Sequence, residues 1–137
     1  MILTRAMKVL GRVANHRTVL ALAAAVSAHT ALGEPSVAQF SQAQADLGAR
    51  VAERYCAKCH DPSYFEGSIY TALQGQPVAY LLDPIRATMP QDRPGSLKAR
   101  HTAALIAWIM SLNGIAPSDA ELPEDYERLA GMILPEV

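Results

Sequence analysis

The chain contains two cysteines, and both lie in one pentapeptide, Cys56-Ala57-Lys58-Cys59-His60. C-x-x-C-H is the attachment pattern of covalent c-type haem. Two thiols one helical turn apart can each reach a vinyl group on neighbouring pyrroles of one porphyrin. The residue after them then projects over the ring, where a nitrogen can bind the iron. On this reading Cys56 and Cys59 carry one haem c through thioethers and His60 is the proximal iron ligand. Three other readings ask for features the chain does not offer. A thioredoxin-like redox pair calls for a βαβ pattern, and no Val/Ile-rich parallel strand is visible. A structural zinc site needs a fourth ligand and usually a second cysteine pair. A simple disulfide leaves His60 unexplained.

Haem of this kind is attached outside the cytoplasm, so an export signal is expected at the N-terminus. Arg5, Lys8, Arg12 and Arg17 form a basic region, and Thr18 to Ala28 is an almost unbroken run of alanine, leucine and valine. Ala31-Leu32-Gly33 fits the small-x-small cleavage rule, with Val26-Ser27-Ala28 as an earlier alternative. The apolar run is well short of the roughly 20 residues that cross a bilayer, which favours cleavage over a retained anchor. The expected organisation is a cleaved signal peptide over 1–33, a haem domain over 34–116 and an acidic C-terminal extension over 117–137. The expected location is the periplasm, with no membrane span after cleavage.

Loss of residues 1–33 leaves 104 of the 137 residues, enough for one small core. It removes four of the twelve Lys+Arg and none of the thirteen Asp+Glu. Eight basic side chains then face thirteen acidic ones, a formal charge of −5 in place of −1. An acidic domain argues against nucleic acid and anionic membrane surfaces as partners.

The remaining chain reads as all-α. Ser41-Gln42-Ala43-Gln44 is a capping box that starts a helix near Gln42. Gln44, Gly48, Val51 and Tyr55 share one face of it, and Gly48 marks a close crossing by a second helix. Residues 61–75 read as a looser connection punctuated by Pro62, Gly67 and Gly75. A short helix is expected over Val78–Ile85, interrupted at Pro84. Met89-Pro90 and Pro94-Gly95 mark a non-helical loop. The longest helix is predicted over Leu97–Asn113, with Ser96 as N-cap and Asn113-Gly114 as its stop. Leu105, Trp108, Ile109 and Leu112 form its core stripe, with Trp108 set to pack on Gly48. One more short amphipathic helix is expected within Asp125–Leu134.

The capped helix ending in Tyr55-Cys56-Ala57-Lys58-Cys59-His60, the Met89-Pro90 loop and the aromatic C-terminal helix together resemble a class I cytochrome c. The resemblance covers about Gln42 to Gly114. Met89-Pro90, Pro94-Gly95-Ser96-Leu97, Ala107-Trp108-Ile109, Asn113-Gly114 and Glu121-Leu122-Pro123 are further similar to monohaem cytochromes associated with quinoprotein (pyrroloquinoline quinone) alcohol dehydrogenases. The family implies N- and C-terminal helices crossing beside the haem. One position departs from it. A proline often precedes the Leu-x-Gly matched here by Leu73-Gln74-Gly75, and its carbonyl accepts the proximal histidine's N–H. Thr71 and Ala72 stand there instead, and another carbonyl is expected to take that proton.

The second axial ligand decides the chemistry. Outside the leader the candidates are Met89, Met110, Met132 and His101. Met89 lies 29 positions after His60 in a loop stiffened by Pro90. Met110 and Met132 suit core packing, and His101, beside Lys98 and Arg100, suits solvent. The family motif points to Met89 as well. Iron with two strong-field ligands has no vacant position, and a neutral thioether raises its potential. No nucleophile or acid–base constellation is visible, so a one-electron carrier is expected rather than an enzyme, between a dehydrogenase donor and an oxidase or another cytochrome. A cytochrome subunit held permanently in a quinoprotein dehydrogenase, docked through the tail after Gly114, is the alternative. A haem enzyme or gas sensor with one open iron position is the third reading. Lys58, Arg86, Arg93, Lys98 and Arg100 are expected near the haem edge, with Asp119, Glu121, Glu124, Asp125 and Glu127 away from it.

Overall fold

A computed structural model describes residues 34–137. The basic region, apolar run and cleavage sites assigned to 1–33 lie outside the described residues.

Ser41 starts the first helix, α1 (Gln42–Tyr55), with both bonds of the capping box. Its hydroxyl accepts the Gln44 N–H at 3.2 Å, and the Gln44 side chain reaches back to the Ser41 N–H at 3.5 Å. Ala45, Gly48, Val51 and Ala52 make its buried face. A 3-10 turn, Pro62–Phe65, and a short helix α2 (Ser68–Leu73) follow. The latter lies where a loose connection is expected. Its N-cap, Gly67, has φ of +68° and makes no side-chain cap, so no start signal marks it. Tyr70, 1% exposed, anchors it.

Helix α3 (Ala79–Thr88) runs through Pro84 and does not break there, contrary to the sequence expectation. Proline removes a single N–H, the one that would bond the Tyr80 carbonyl, and its fixed φ already suits a helix. Leu81 and Leu82, both buried, hold the segment against the core. The Met89-Pro90 and Pro94-Gly95 loop is non-helical as expected. Helix α4 (Ala99–Leu112) begins two residues later than predicted, with Lys98 and not Ser96 at its N-cap position. It ends as expected at Asn113-Gly114. The Gly114 and Ile115 N–H groups donate back to the Ser111 and Met110 carbonyls, and Gly114 has φ of +84°.

Helix α4 is buried on nearly every side, from Thr102 to Ala107 and again at Ile109 and Met110, not along one stripe. Such a helix belongs at the centre of a fold. It crosses α1 at Gly48, where a Cβ would meet the Ala104 carbonyl and come within 2.6 Å of the Trp108 Cβ.

The chain beyond Gly114 packs into the same unit. A final helix, α5 (Tyr126–Ala130), is capped by Asp125, and Leu122, Leu129 and Leu134 are each 2% exposed or less. Ile133 bridges to Val37 on one side and to Pro77 on the other. Among the described residues this is the only β pairing, and no helix is long and apolar enough to cross a membrane.

Candidate haem site

Past Tyr55 the chain turns without leaving the helix abruptly. The Cys56 and Ala57 N–H groups both donate to the Ala52 carbonyl, at 2.8 and 3.0 Å. Those of Cys59 and His60 both donate to the Cys56 carbonyl, at 3.0 and 2.9 Å. The pentapeptide is therefore one tight turn at the end of α1. Both thiols are free, Cys56 half-buried and Cys59 exposed. Burial pushes the Cys56 thiol above its ordinary pKa, which keeps it protonated at neutral pH.

Cys56, Cys59 and His60 form one wall of a cavity of about 360 Å³ that opens to solvent. That volume lies within the range of roughly 300–1,000 Å³ usual for cofactor sites. Met89, with Thr88, Pro90 and Gln91, contributes to the same cavity from the end of α3. Leu81, Pro84 and Ile85 of α3 and Leu105 and Ile109 of α4 complete a lining that is mostly apolar. Tyr64 and Tyr80, 53% and 61% exposed, stand at the opening. Leu105, read from the sequence as core stripe, thus also serves this cavity, as does Ile109.

Of the four candidates for a second ligand, Met89 alone lines the cavity. Met110 is fully buried in the main core, and Met132 packs against that core. His101, in the first turn of α4, is intermediate in exposure. Its pKa is lowered by partial desolvation first, then by the charges of Arg100, Lys98 and Arg54. These three cations therefore gather around it at the start of α4.

The His60 ring meets aromatic side chains, and among the described residues no carbonyl accepts from it. Tyr64 lies against it with ring centroids 4.5 Å apart, and Phe65 stands edge-on at 5.7 Å. These contacts were not legible from the sequence, because nothing local signals which way Tyr64 and Phe65 turn out of the 3-10 turn. Arg86, expected near the haem edge, turns to the other face of α3, its guanidinium 4.0 Å from the centroid of the Tyr126 ring. Tyr126 in turn donates to Asp83 at 2.9 Å, which raises the Tyr126 pKa.

The residues present fit a haem. Two thiols and an imidazole line one cavity with a thioether, and the rest of the wall is largely hydrocarbon. Among the described residues no three His, Cys, Asp or Glu side chains converge as a zinc site requires. In comparisons with known proteins, no family model, curated protein or solved structure matches this chain.

Proposed function

We propose that this chain is a periplasmic electron carrier of the class I cytochrome c type, with one haem c in the cavity at the end of α1. The observation that carries the reading is the presence of Cys56, Cys59, His60 and Met89 in the lining of one apolar cavity. Cys56 and Cys59 would anchor the group through thioethers, and His60 and Met89 would ligate its iron. Bound there, haem supplies a one-electron ferric/ferrous couple.

The chain's own contribution is to limit the chemistry to that couple. Met89 would hold the iron through a neutral thioether opposite His60, which would leave no site for dioxygen or peroxide and would favour the reduced state. Leu81, Ile85, Leu105 and Ile109 keep water from the interior side. That raises the cost of the extra positive charge on the oxidised state and acts in the same direction. Tyr64 and Tyr80 leave one side open, through which electrons would pass to partners such as a dehydrogenase and a respiratory acceptor. The crossing of α1 and α4 at Gly48 and Trp108 supports the class I reading, since the family implies such a crossing beside the haem and both helices reach the cavity, α1 through Tyr55 and α4 through Leu105 and Ile109. Export through a cleaved leader over 1–33 belongs to the same proposal, because haem c is attached outside the cytoplasm.

The decisive experiment is an optical spectrum of the protein expressed with export, alone and as Met89→Ala. The wild type should show a pyridine haemochrome of thioether-linked haem and a weak long-wavelength sulfur-to-iron band when oxidised. Met89→Ala should keep the haem, lose the band and bind carbon monoxide rapidly when reduced. A wild type that never shows the band, or that itself binds carbon monoxide rapidly, would refute His/Met ligation.

A further inference from the structure

The His60 main chain is held by its N–H bond to the Cys56 carbonyl, which leaves the imidazole able to rotate about its own side-chain bonds. A ligating imidazole is ordinarily kept in one plane by donating its second N–H to a carbonyl or carboxylate. Here the neighbours are rings. Tyr64 lies tilted by 32° with its centroid 4.5 Å away, and Phe65 stands at 62° and 5.7 Å. The planes of Tyr64 and Phe65 are perpendicular, at 90° and 5.2 Å. They form a corner, and a corner restrains both tilt and rotation of a ring seated in it.

The corner is fixed from α4. Phe65 packs edge-on against Trp108 at 5.3 Å. The Asn113 amide donates to the Phe65 carbonyl at 2.9 Å and to the Ile109 carbonyl at 2.8 Å. Its oxygen accepts the Gly67 N–H at 2.8 Å. One side chain at the end of α4 thus ties both ends of the Phe65–Gly67 segment. At the start of the 3-10 turn Asp61 accepts the Ser63 N–H at 3.0 Å.

We propose that Tyr64, Phe65 and Asn113 are positioning residues that set the plane of the His60 imidazole, Asn113 acting through Phe65. The proposal rests on the haem reading, in which His60 is an iron ligand. It gives this chain an aromatic device in the role that an acceptor carbonyl plays elsewhere. It also explains why Thr71 and Ala72 can stand where the resemblance leads one to expect proline.

The orientation of an axial imidazole fixes the direction of magnetic anisotropy at low-spin ferric iron, so the order of the four haem-methyl proton shifts reports it. The experiment compares proton NMR spectra of the ferric holoprotein as wild type, Tyr64→Leu, Phe65→Leu, Asn113→Asp and Tyr64→Phe. Haem content is measured alongside by pyridine haemochrome. The first three variants should keep their haem and show a changed methyl order. Tyr64→Phe keeps the ring, loses only a hydroxyl and should match the wild type. Asn113→Asp keeps the acceptor for Gly67 but loses the donor to Phe65, so its effect separates orientation from capping. Tyr64 is more than half exposed, so its leucine variant tests the corner even where a core change hinders folding. Wild-type methyl order in Tyr64→Leu and Phe65→Leu, with haem bound, overturns the positioning role alone. A wild type without thioether-linked haem overturns the haem reading, and the positioning role falls with it.

Discussion

A hydrogen in place of a methyl group at position 48 sets how closely α1 and α4 approach. The atoms a Cβ would meet are the Ala104 carbonyl and the Trp108 Cβ, at 2.6 Å for the latter, and neither is the loose end of a side chain. Alanine would gain about 1 kcal/mol of helix propensity over glycine. Forcing the two backbones apart costs more, since overpacking a core typically costs about 1–3 kcal/mol and a backbone clash lies at the upper end. Gly48→Ala should therefore be destabilised by about 1–2 kcal/mol net, read as a lower urea midpoint of the holoprotein with an unchanged slope. An unchanged midpoint would mean that the helices already have room. This contact was legible in the sequence, because Gly48 shares a helical face with Val51 and Tyr55 and one tryptophan sits in the longest apolar period. The aromatic corner around His60 was not. Its geometry depends on Asn113, nearly fifty positions further along the chain from Phe65.

At the scale of elements, the segment after Gly114 ties together parts of the chain that are far apart in sequence. The Leu122 N–H donates to Gln44 Oε1 at 2.8 Å, and Gln44 Nε2 donates to the Leu122 carbonyl at 2.8 Å. Further on, the Ala38 N–H donates to the Ile133 carbonyl, while Gly75 and Val78 donate to the carbonyls of Leu134 and Met132. The buried hydroxyl of Tyr70, its pKa pushed up to about 12 by desolvation, donates to the Pro135 carbonyl at 3.0 Å. The tail is thus laced to the entry of α1, to α2 and to the loop that leads into α3. Leu134 is its most buried anchor, at 0% exposure. Leu134→Ala should cost about 2–5 kcal/mol, the usual range for a buried leucine. Amide exchange should quicken first at Gly75, Leu134 and Val78, whose N–H groups share this lacing. Protection of those amides equal to the wild type would show that the tail is not what holds the loop. The short helix expected within Asp125–Leu134 was readable and is α5, but the lacing was not, because its bonds close between residues far apart in the chain. A similar limit applied to Pro84, where local propensity argued for a break and burial of Leu81 and Leu82 overrode it. The capping box and the Asn113-Gly114 stop were readable because their bonds close within a few residues.

Across the whole molecule, charge is sorted along α1. Its last turn carries Arg54, which with Lys98 and Arg100 raises the local positive potential felt by His101. At its other end Ser41 donates to Glu121 at 3.1 Å, in the acidic stretch that runs on to Glu127. Fourteen helical residues at about 1.5 Å each put roughly 20 Å between these ends. The cationic end adjoins the cavity through Tyr55 and Leu97. His101 in this cationic end is a group whose charge changes near neutral pH. Folding places it among three cations and partly out of water, so the folded state favours the neutral ring. The unfolded chain takes up the proton near the ordinary value of about 6.5. Below that value, down to the lowered folded pKa, the unfolded state binds more protons, so stability is lost as the pH is lowered. His101→Gln removes the difference in proton uptake and should flatten this part of the profile. The measurement is urea unfolding of the holoprotein between about pH 7.5 and 5.5, above the range where ordinary carboxylates titrate. In high salt the wild-type slope should become shallower, because the repulsion from Arg54, Lys98 and Arg100 is screened while the desolvation remains. A His101→Gln profile as steep as the wild type would assign the pH dependence to another group.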